Sequence, residues 1–200
     1  MRLLLFLALV GAGIGAFFYV DGARTATTED TLARIASEIA RRDVSVDCAG
    51  IVKDVFDISG DEGTVRFDNA GRPEDATHLK RAVCQRLHDF PKARLEPGYR
   101  CVYEATGCPD DVLKSIQAVH TLAHEAWHLQ GQADEGVAEC YGLQTTAYVA
   151  QRLGADAAQA QAIASYVYAN VYPTLPQSYQ NGECRNGGKL DLKRGTPVFP

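Results

Sequence analysis

The segment His124-Glu125-Ala126-Trp127-His128 holds residue types that can bind a metal ion and move a proton. Residues four apart on an α-helix lie above one another on the same face, so both imidazoles can reach one ion. Glu125 then points beside the metal, toward a bound water. Zinc lowers the pKa of such a water, and a carboxylate in hydrogen-bond reach can take its proton and pass it to a leaving amine. We therefore predict that His124 and His128 bind Zn²⁺ and that Glu125 is the catalytic base.

A catalytic zinc needs a third protein ligand and one open coordination position, and three acidic residues lie just downstream. Glu135 and Glu139 are four apart on the next predicted helix, which follows a turn at Gly131. If the two helices run antiparallel, Glu135 comes back opposite His128, and Glu139 lies about one turn further along. One carboxylate would bind the metal, and the other would accept the outer N–H of a ligand histidine. In the alternative, the turn at Gly131 makes Asp134 the third ligand.

Three further histidines are not assigned to the metal. His120 stands one turn before His124 on the same helix face. A second metal or a proton-transfer role is the alternative there, but we expect this side chain to pack or hydrogen-bond beneath the site. His78 and His88 are predicted to be surface or core residues. Tyr179 and Arg185 are available as oxyanion donors, but nothing in their spacing selects them over other residues.

The second half of the chain is predicted to consist of helices. Pro109-Asp110-Asp111 is a helix-start signal, and the residues from Val112 to Leu129 contain no glycine or proline. A helix of about five turns therefore carries the metal-binding motif. A second helix is predicted from about Asp134 to Gly154, and a third from Asp156 to Tyr172, where Pro173 stops it.

The first half combines helices with short strands, so the fold class is predicted as α+β, mostly helical, with a small sheet. Apolar residues spaced three and four apart predict an amphipathic helix, and short β-branched runs between glycines and aspartates predict strands. The predicted elements are a polar tether at 21–31, a helix from Leu32 to Ile39, strands at 44–46, 51–56 and 64–67, a helix from Pro73 to Phe90 stopped by Pro91, and a loop at 91–108.

The segment from Thr121 to Leu129 resembles the active-site helix of the zincin metallopeptidases, including uncharged residues at the flanking positions. With Glu135 as ligand and Glu139 supporting a histidine, the pattern is similar to the gluzincin branch. With Asp134 as ligand it is similar to the metzincin branch. Metzincins also have a methionine turn beneath the metal, whereas Met1 is the only methionine in this chain. The gluzincin resemblance is therefore the better one.

This resemblance implies a zinc metallopeptidase in which His124, His128 and Glu135 hold the metal and Glu125 activates water. Its substrate would be a peptide or protein. A metal-dependent amidase acting on cell-wall material would need the same residues. The non-enzyme alternative is a zinc-stabilised binding or interaction domain, in which another side chain closes the fourth metal position.

Composition sets further bounds on the function. A length of 200 residues fits one globular domain, and a net charge of −5 with no stripe of Lys or Arg argues against a nucleic-acid partner. Six cysteines lie beyond the first apolar stretch, which is typical of disulfides in an oxidising compartment. Cys101 and Cys108 close a short loop, and we predict that they pair.

The N-terminus predicts attachment to a membrane. Residues 3–20 carry no charge, which is long enough for a bilayer span, and Arg2 keeps the preceding end in the cytoplasm. Residues 1–23 are therefore predicted to be a transmembrane anchor or signal sequence, and 24–200 an extracytoplasmic zincin-like domain. The anchor is favoured because Asp21 stands where a signal cleavage site needs a small residue. The protein would be a single-pass cell-membrane protein, or secreted if the segment is cleaved.

Overall fold

The fold is mostly helical with a small three-stranded sheet, as the sequence predicts. A computed structural model describes residues 22, 24–50, 62–104, 107–196 and 198–200. Short 3-10 and π-helical turns connect several elements. In chain order the elements are α1 (24–40), β1 (Ser45–Cys48), β2 (Gly63–Thr64), β3 (Ala76–Leu79), α2 (Arg81–Ala93), α3 (Cys101–Glu104), α4 (Asp110–Gln130), α5 (Glu135–Arg152) and α6 (Ala157–Tyr166).

Helix α4 forms the centre of the fold, and the predicted motif helix is confirmed. Thirteen of its 21 residues are buried, because apolar side chains occur on most of its faces. It ends at Gly131, whose φ of 113° is easy only for glycine. The N–H of Gln132 then donates to the carbonyl of Trp127 at 3.0 Å, a C-terminal capping bond that reverses the chain. The chain is thereby directed back along α4.

Helix α5 packs antiparallel against α4, and the predicted second helix is also confirmed. Asp134 starts α5 by accepting a hydrogen bond from the N–H of Val137 at 2.9 Å. Further along, α5 approaches α4 so closely that a Cβ added at Gly142 would lie 3.0 Å from Cα of His124. Glycine at this position lets the two helix backbones come together at the motif.

The sheet lies beside α4, with strand order β1-β3-β2. Strand β3 runs parallel to β1 and antiparallel to β2. The predicted helix over 73–90 is therefore wrong in its first half. The side chains of Thr77 and Leu79 both point into the interior, as alternate residues of a strand do, and β1 pairs with this segment. Strand pairing therefore outweighs the apolar spacing that predicted a helix. Helix α2 begins only at Arg81 and continues through Pro91 to Ala93.

Three other predicted boundaries differ from the structure. Residues 24–31 are helical rather than a tether, and Glu29 ties this helix to the end of β1 by accepting the N–H of Cys48 at 2.8 Å. The predicted loop 91–108 contains the end of α2, a 3-10 turn and α3. The third helix, α6, ends at Tyr166 and continues through a π-helical turn to a 3-10 turn that contains Pro173.

Two predictions fall on residues outside the described ranges, namely the membrane segment at 3–20 and the strand at 51–56. Among the residues that the structure describes, no helix has the length and apolarity to cross a bilayer.

All six cysteines form disulfides, and the predicted pair Cys101–Cys108 is confirmed. Cys48–Cys84 joins the end of β1 to α2. Cys140–Cys184 joins α5 to the C-terminal segment across 44 residues. Because no thiol is free, cysteines do not contribute metal ligands.

The close contact at Gly142 makes a stability prediction. Gly142→Ala forces the two helix backbones apart, and we expect a loss of roughly 1–3 kcal/mol in the free energy of unfolding. Gly136→Ala in the same helix is the matched control, because an added Cβ there meets its nearest atoms at an ordinary 3.4 Å. The control should be neutral or more stable by up to about 1 kcal/mol, since alanine favours helix. Urea unfolding followed by circular dichroism measures both. Equal stability of the two variants would show that the contact is loose.

Candidate metal centre

Three side-chain atoms from α4 and α5 converge on one point. Nε2 of His124 and Nε2 of His128 are 2.9 Å apart, and Oε2 of Glu135 lies 3.2 Å from each. The histidines meet because they are one turn apart on α4. Glu135 joins them because it is the first residue of α5, and α5 runs antiparallel to α4 after the turn at Gly131.

The three atoms fit a metal ion. Ligands about 2.0–2.2 Å from a tetrahedral zinc lie roughly 3.3 Å apart, which is close to the observed spacing. Two imidazole nitrogens and one carboxylate oxygen are also a ligand set that catalytic zinc sites use. His124, His128 and Glu135 can therefore hold a metal ion. The two histidines are buried, and Glu135 is partly exposed at the cavity beside them.

A fixed acceptor holds the outer nitrogen of each histidine. Nδ1 of His124 donates to Oε2 of Glu139 at 2.9 Å, and Nδ1 of His128 donates to the carbonyl of Gln132 at 2.5 Å. Carbonyl and ionised carboxylate oxygens only accept, so the proton of each neutral imidazole stays on Nδ1. In its neutral form each imidazole therefore presents the Nε2 lone pair to a metal, in a fixed direction.

The two alternative third ligands are engaged elsewhere. Asp134 caps α5 through the N–H of Val137. Glu139 accepts hydrogen bonds with both oxygens, Oε2 from His124 and Oε1 from His120 at 2.9 Å. His120 thus hydrogen-bonds beneath the site, as predicted. Of the acidic candidates, only Glu135 belongs to the three-atom group.

Electrostatic interactions in the cluster favour a positive charge. Burial lowers the pKa of His124, but hydrogen bonds to Glu135 and Glu139 outweigh this and raise its pKa to about 10. Hydrogen bonds from the two histidines lower the pKa of Glu135 to about 2. Burial raises the pKa of Glu139, yet the charge and hydrogen bond of His120 dominate and bring it to about 2. The carboxylates stay ionised, and the field that retains a proton on His124 also favours a metal cation.

Glu125 lies next to the cluster without joining it. Its Oε2 accepts a hydrogen bond from the hydroxyl of Thr77 at 3.4 Å, and only 4% of the residue is exposed. Strand β2 covers it so closely that a Cβ on Gly63 would lie 2.8 Å from its Cγ. Burial raises the pKa of Glu125, although the two metal-cluster histidines oppose this. A raised pKa brings a carboxylate closer to the value suited to proton transfer near neutral pH.

A cavity of about 170 Å³ opens over the cluster and Glu125. Its other wall is the segment that begins with β2, from which Gly63, Val65 and Phe67 line the space. The ring of Phe67 packs edge-on against His128, with centroids 6.0 Å apart. The sequence motif gave no sign of this wall, because the pairing of β2 with β3 brings it over α4.

Tyr179 is a site residue that the spacing of the sequence does not select. It lies in a 3-10 turn, lines the cavity, and stacks on His124 with ring centroids 5.8 Å apart. The disulfide Cys140–Cys184 ties this part of the chain to α5. The pairing of Cys184 is the one sequence feature that could have indicated the placement of Tyr179.

The remaining histidines have other partners. His78 lies on β3 between Asp47 and Glu74, at 3.3 and 3.5 Å. His88 lies on α2, where its Nδ1 is 2.9 Å from the hydroxyl of Thr28. Arg185 is paired with Glu183 at 4.0 Å, and it does not line the cavity over the cluster. These residues are therefore not assigned to the metal centre.

No family model, curated protein or solved structure matches this chain. The function of the chain is therefore inferred from the geometry of the site.

The raised pKa of His124 predicts a proton released on metal binding. Below about pH 10 its Nε2 carries a proton in the metal-free protein, and the metal needs that lone pair. The apparent affinity for Zn²⁺ should therefore rise as pH increases, by about tenfold per unit near neutrality. Calorimetric titration at pH 7 in buffers of different ionisation enthalpy should report about one released proton. His88→Ala is the control and should release the same number. A buffer-independent enthalpy would contradict the protonation of His124.

Proposed function

We propose that this protein is a zinc-dependent metallohydrolase of the zincin type, and specifically a metallopeptidase. The observation that carries the proposal is the separation of roles in the site. Three atoms, from His124, His128 and Glu135, can hold a metal, while the carboxylate of Glu125 lies beside them and is not one of the three. Three protein ligands leave one position open, as in catalytic rather than structural zinc sites.

Zinc bound at this site would lower the pKa of a coordinated water and polarise the substrate carbonyl. Glu125, a buried carboxylate beside the three ligand atoms, would serve as general base toward the attacking water and as general acid toward the leaving amine. The raised pKa of Glu125 suits both steps, because the group must accept and return a proton near neutral pH. The hydroxyl of Thr77 lies beside this carboxylate, 3.4 Å from Oε2 of Glu125 and 3.2 Å from the carbonyl of Thr64, which shares its proton.

Tyr179 is proposed as the donor that stabilises the oxyanion. It lines the cavity and stacks on a metal-ligand imidazole, so its hydroxyl belongs to a side chain in contact with the site. A hydrogen-bond donor at the developing charge is a large contribution to catalysis of acyl transfer. The wall with Val65 and Phe67 is apolar, which suits a peptide side chain. A cavity of about 170 Å³ has space for one or two residues and is open to the remainder of a longer peptide.

We place the catalytic domain outside the cytoplasm, anchored by the N-terminal segment or secreted if that segment is cleaved. Three disulfides support this location, because such bonds persist in oxidising compartments. The uncharged run at 3–20 supports attachment to the membrane. Peptide or protein substrates would then be encountered at the outer surface, and the net charge of −5 argues against a nucleic-acid partner.

One observation favours the non-catalytic alternative, a zinc-stabilised binding or interaction domain. Glu125 is only 4% exposed, since Gly63 lies directly against it, so access for a substrate is narrow. In that case metal binding would stabilise the α4–α5 pair without hydrolysis. Activity measurements separate the two functions, and a cell-wall amidase would be recognised by its substrate.

The proposal predicts different losses for metal ligands and base. The full-length chain should contain one zinc, and a His124→Ala, His128→Ala variant should contain none. Glu125→Gln should retain zinc but lose about 10²–10⁴-fold in hydrolysis of a quenched-fluorescent peptide mixture, because only the proton transfer is removed. Elemental analysis and the peptide assay measure both effects. Zinc without hydrolysis of any peptide or cell-wall substrate would favour the binding domain, and no zinc would contradict both functions.

Tyr179→Phe tests the oxyanion role. It keeps the ring that stacks on His124 and removes only the hydroxyl. We expect kcat to fall by roughly 10–10³-fold while zinc content and KM change little, as for loss of one oxyanion donor. Tyr103→Phe is the matched control, since Tyr103 is 55% exposed on α3 and should behave like the wild type. An unchanged kcat in Tyr179→Phe would exclude the hydroxyl from catalysis.

A further inference from the structure

His120 is connected to the metal centre through a single buried carboxylate. Its Nε2 lies 2.9 Å from Oε1 of Glu139, whose Oε2 lies 2.9 Å from Nδ1 of His124. An ionised carboxylate only accepts hydrogen bonds, so both imidazoles donate to it. Glu139 is 2% exposed and His120 is 7% exposed, so water contributes little to these bonds. Each oxygen of Glu139 therefore has one histidine donor. Because both oxygens belong to one planar carboxylate, the bond from either histidine restricts the orientation of the group that the other one contacts.

The second nitrogen of His120 is also held. Its Nδ1 lies 2.9 Å from Oγ1 of Thr146, and that hydroxyl is 2.8 Å from the carbonyl of Gly142. Gly142 is the residue at which an added Cβ would lie 3.0 Å from Cα of His124. The ring of His120 is thus oriented by the part of α5 that sets the distance between the two helices.

We propose that His120 is a positioning residue of the metal centre. By occupying Oε1 of Glu139 it holds Oε2 where it accepts the Nδ1 proton of His124, and it thereby keeps Nε2 of His124 directed at the metal. The inference rests on the proposed metal site and adds to it a residue that contacts neither metal nor substrate. Without His120, Oε1 would be a buried acceptor with no donor, and the carboxylate would turn or admit water to satisfy it.

Two substitutions in the full-length chain separate this role from simple packing. His120→Phe keeps a ring of similar size and removes the donor. His120→Gln places an amide N–H near the former Nε2. We expect His120→Phe to bind Zn²⁺ about 10–100-fold more weakly in competition with a chromophoric chelator, as for loss of an outer-shell partner. His120→Gln should recover most of this loss, and His88→Phe is the matched histidine control.

A spectroscopic measurement reports on His124 directly. In the protein loaded with Co²⁺, each ligand histidine gives a paramagnetically shifted Nδ1–H signal in the proton NMR spectrum. His124 donates this proton to Glu139, whereas His128 donates its own to the carbonyl of Gln132. In His120→Phe the His124 signal should shift or broaden by exchange with water, and the His128 signal should remain unchanged. The His128 signal is thus an internal reference for general loosening of the fold.

The outcomes distinguish this inference from the proposed function. Equal Zn²⁺ affinity and two unchanged signals in His120→Phe would overturn the positioning role and leave the metal site intact. Equal movement of both signals would also overturn it, because the effect would then be structural. If the wild-type chain binds no metal, both proposals fail. Should His120→Phe not fold, a long-range proton–nitrogen correlation spectrum of the zinc-loaded wild type decides, because a proton on Nε2 of His120 supports the role and its absence excludes it.

Discussion

The close contact between α4 and α5 is the constraint on which the rest of the site depends. Gly142 allows the α5 backbone to lie against His124, and Gly131 reverses the chain so that Glu135 begins α5 opposite His128. A wider separation would leave the buried carboxylate of Glu139 and the partly exposed carboxylate of Glu135 without their imidazole partners. A cost of that kind is large for charged groups in an interior, because unpaired charge there is poorly solvated. The close packing of α4 and α5 is therefore also what pairs the carboxylates of α5 with the histidines of α4.

Contacts outside the α4–α5 interface hold the neighbouring elements in place. Arg42, which follows α1, donates to the carbonyl of Leu129 at the end of α4 at 3.0 Å and to that of Glu74 at 2.7 Å. It thereby ties the motif helix to the hairpin whose β2 strand covers Glu125. The disulfide Cys140–Cys184 ties the segment with Tyr179 to α5. The two walls of the cavity are thus each fixed to one of the two helices that carry the metal group.

The three candidate metal ligands could be predicted from the sequence because they are close together along the chain and depend only on local structure. His124 and His128 depend only on helical spacing, and Glu135 follows from one turn and an antiparallel return. The support of a ligand histidine by Glu139 was also expected. The capping role of Asp134 and the second partner of Glu139, His120, were not readable, because both depend on side-chain directions. Tyr179 could not be selected among the possible donors, and the wall at Gly63 was missed, because a disulfide and strand pairing bring them from distant positions. The strand at Ala76–Leu79 was read as helix for the same reason, since β1 supplies its partner from 31 residues earlier.

The central claim is that one metal ion binds between α4 and α5 with a position left open. The most direct measurement is an anomalous difference map at the zinc edge from crystals of the zinc-loaded protein. The account predicts one peak within about 2.2 Å of Nε2 of His124, Nε2 of His128 and Oε2 of Glu135, and no fourth protein ligand. A peak at another place, a fourth side chain on the metal, or no peak at saturating zinc would contradict it.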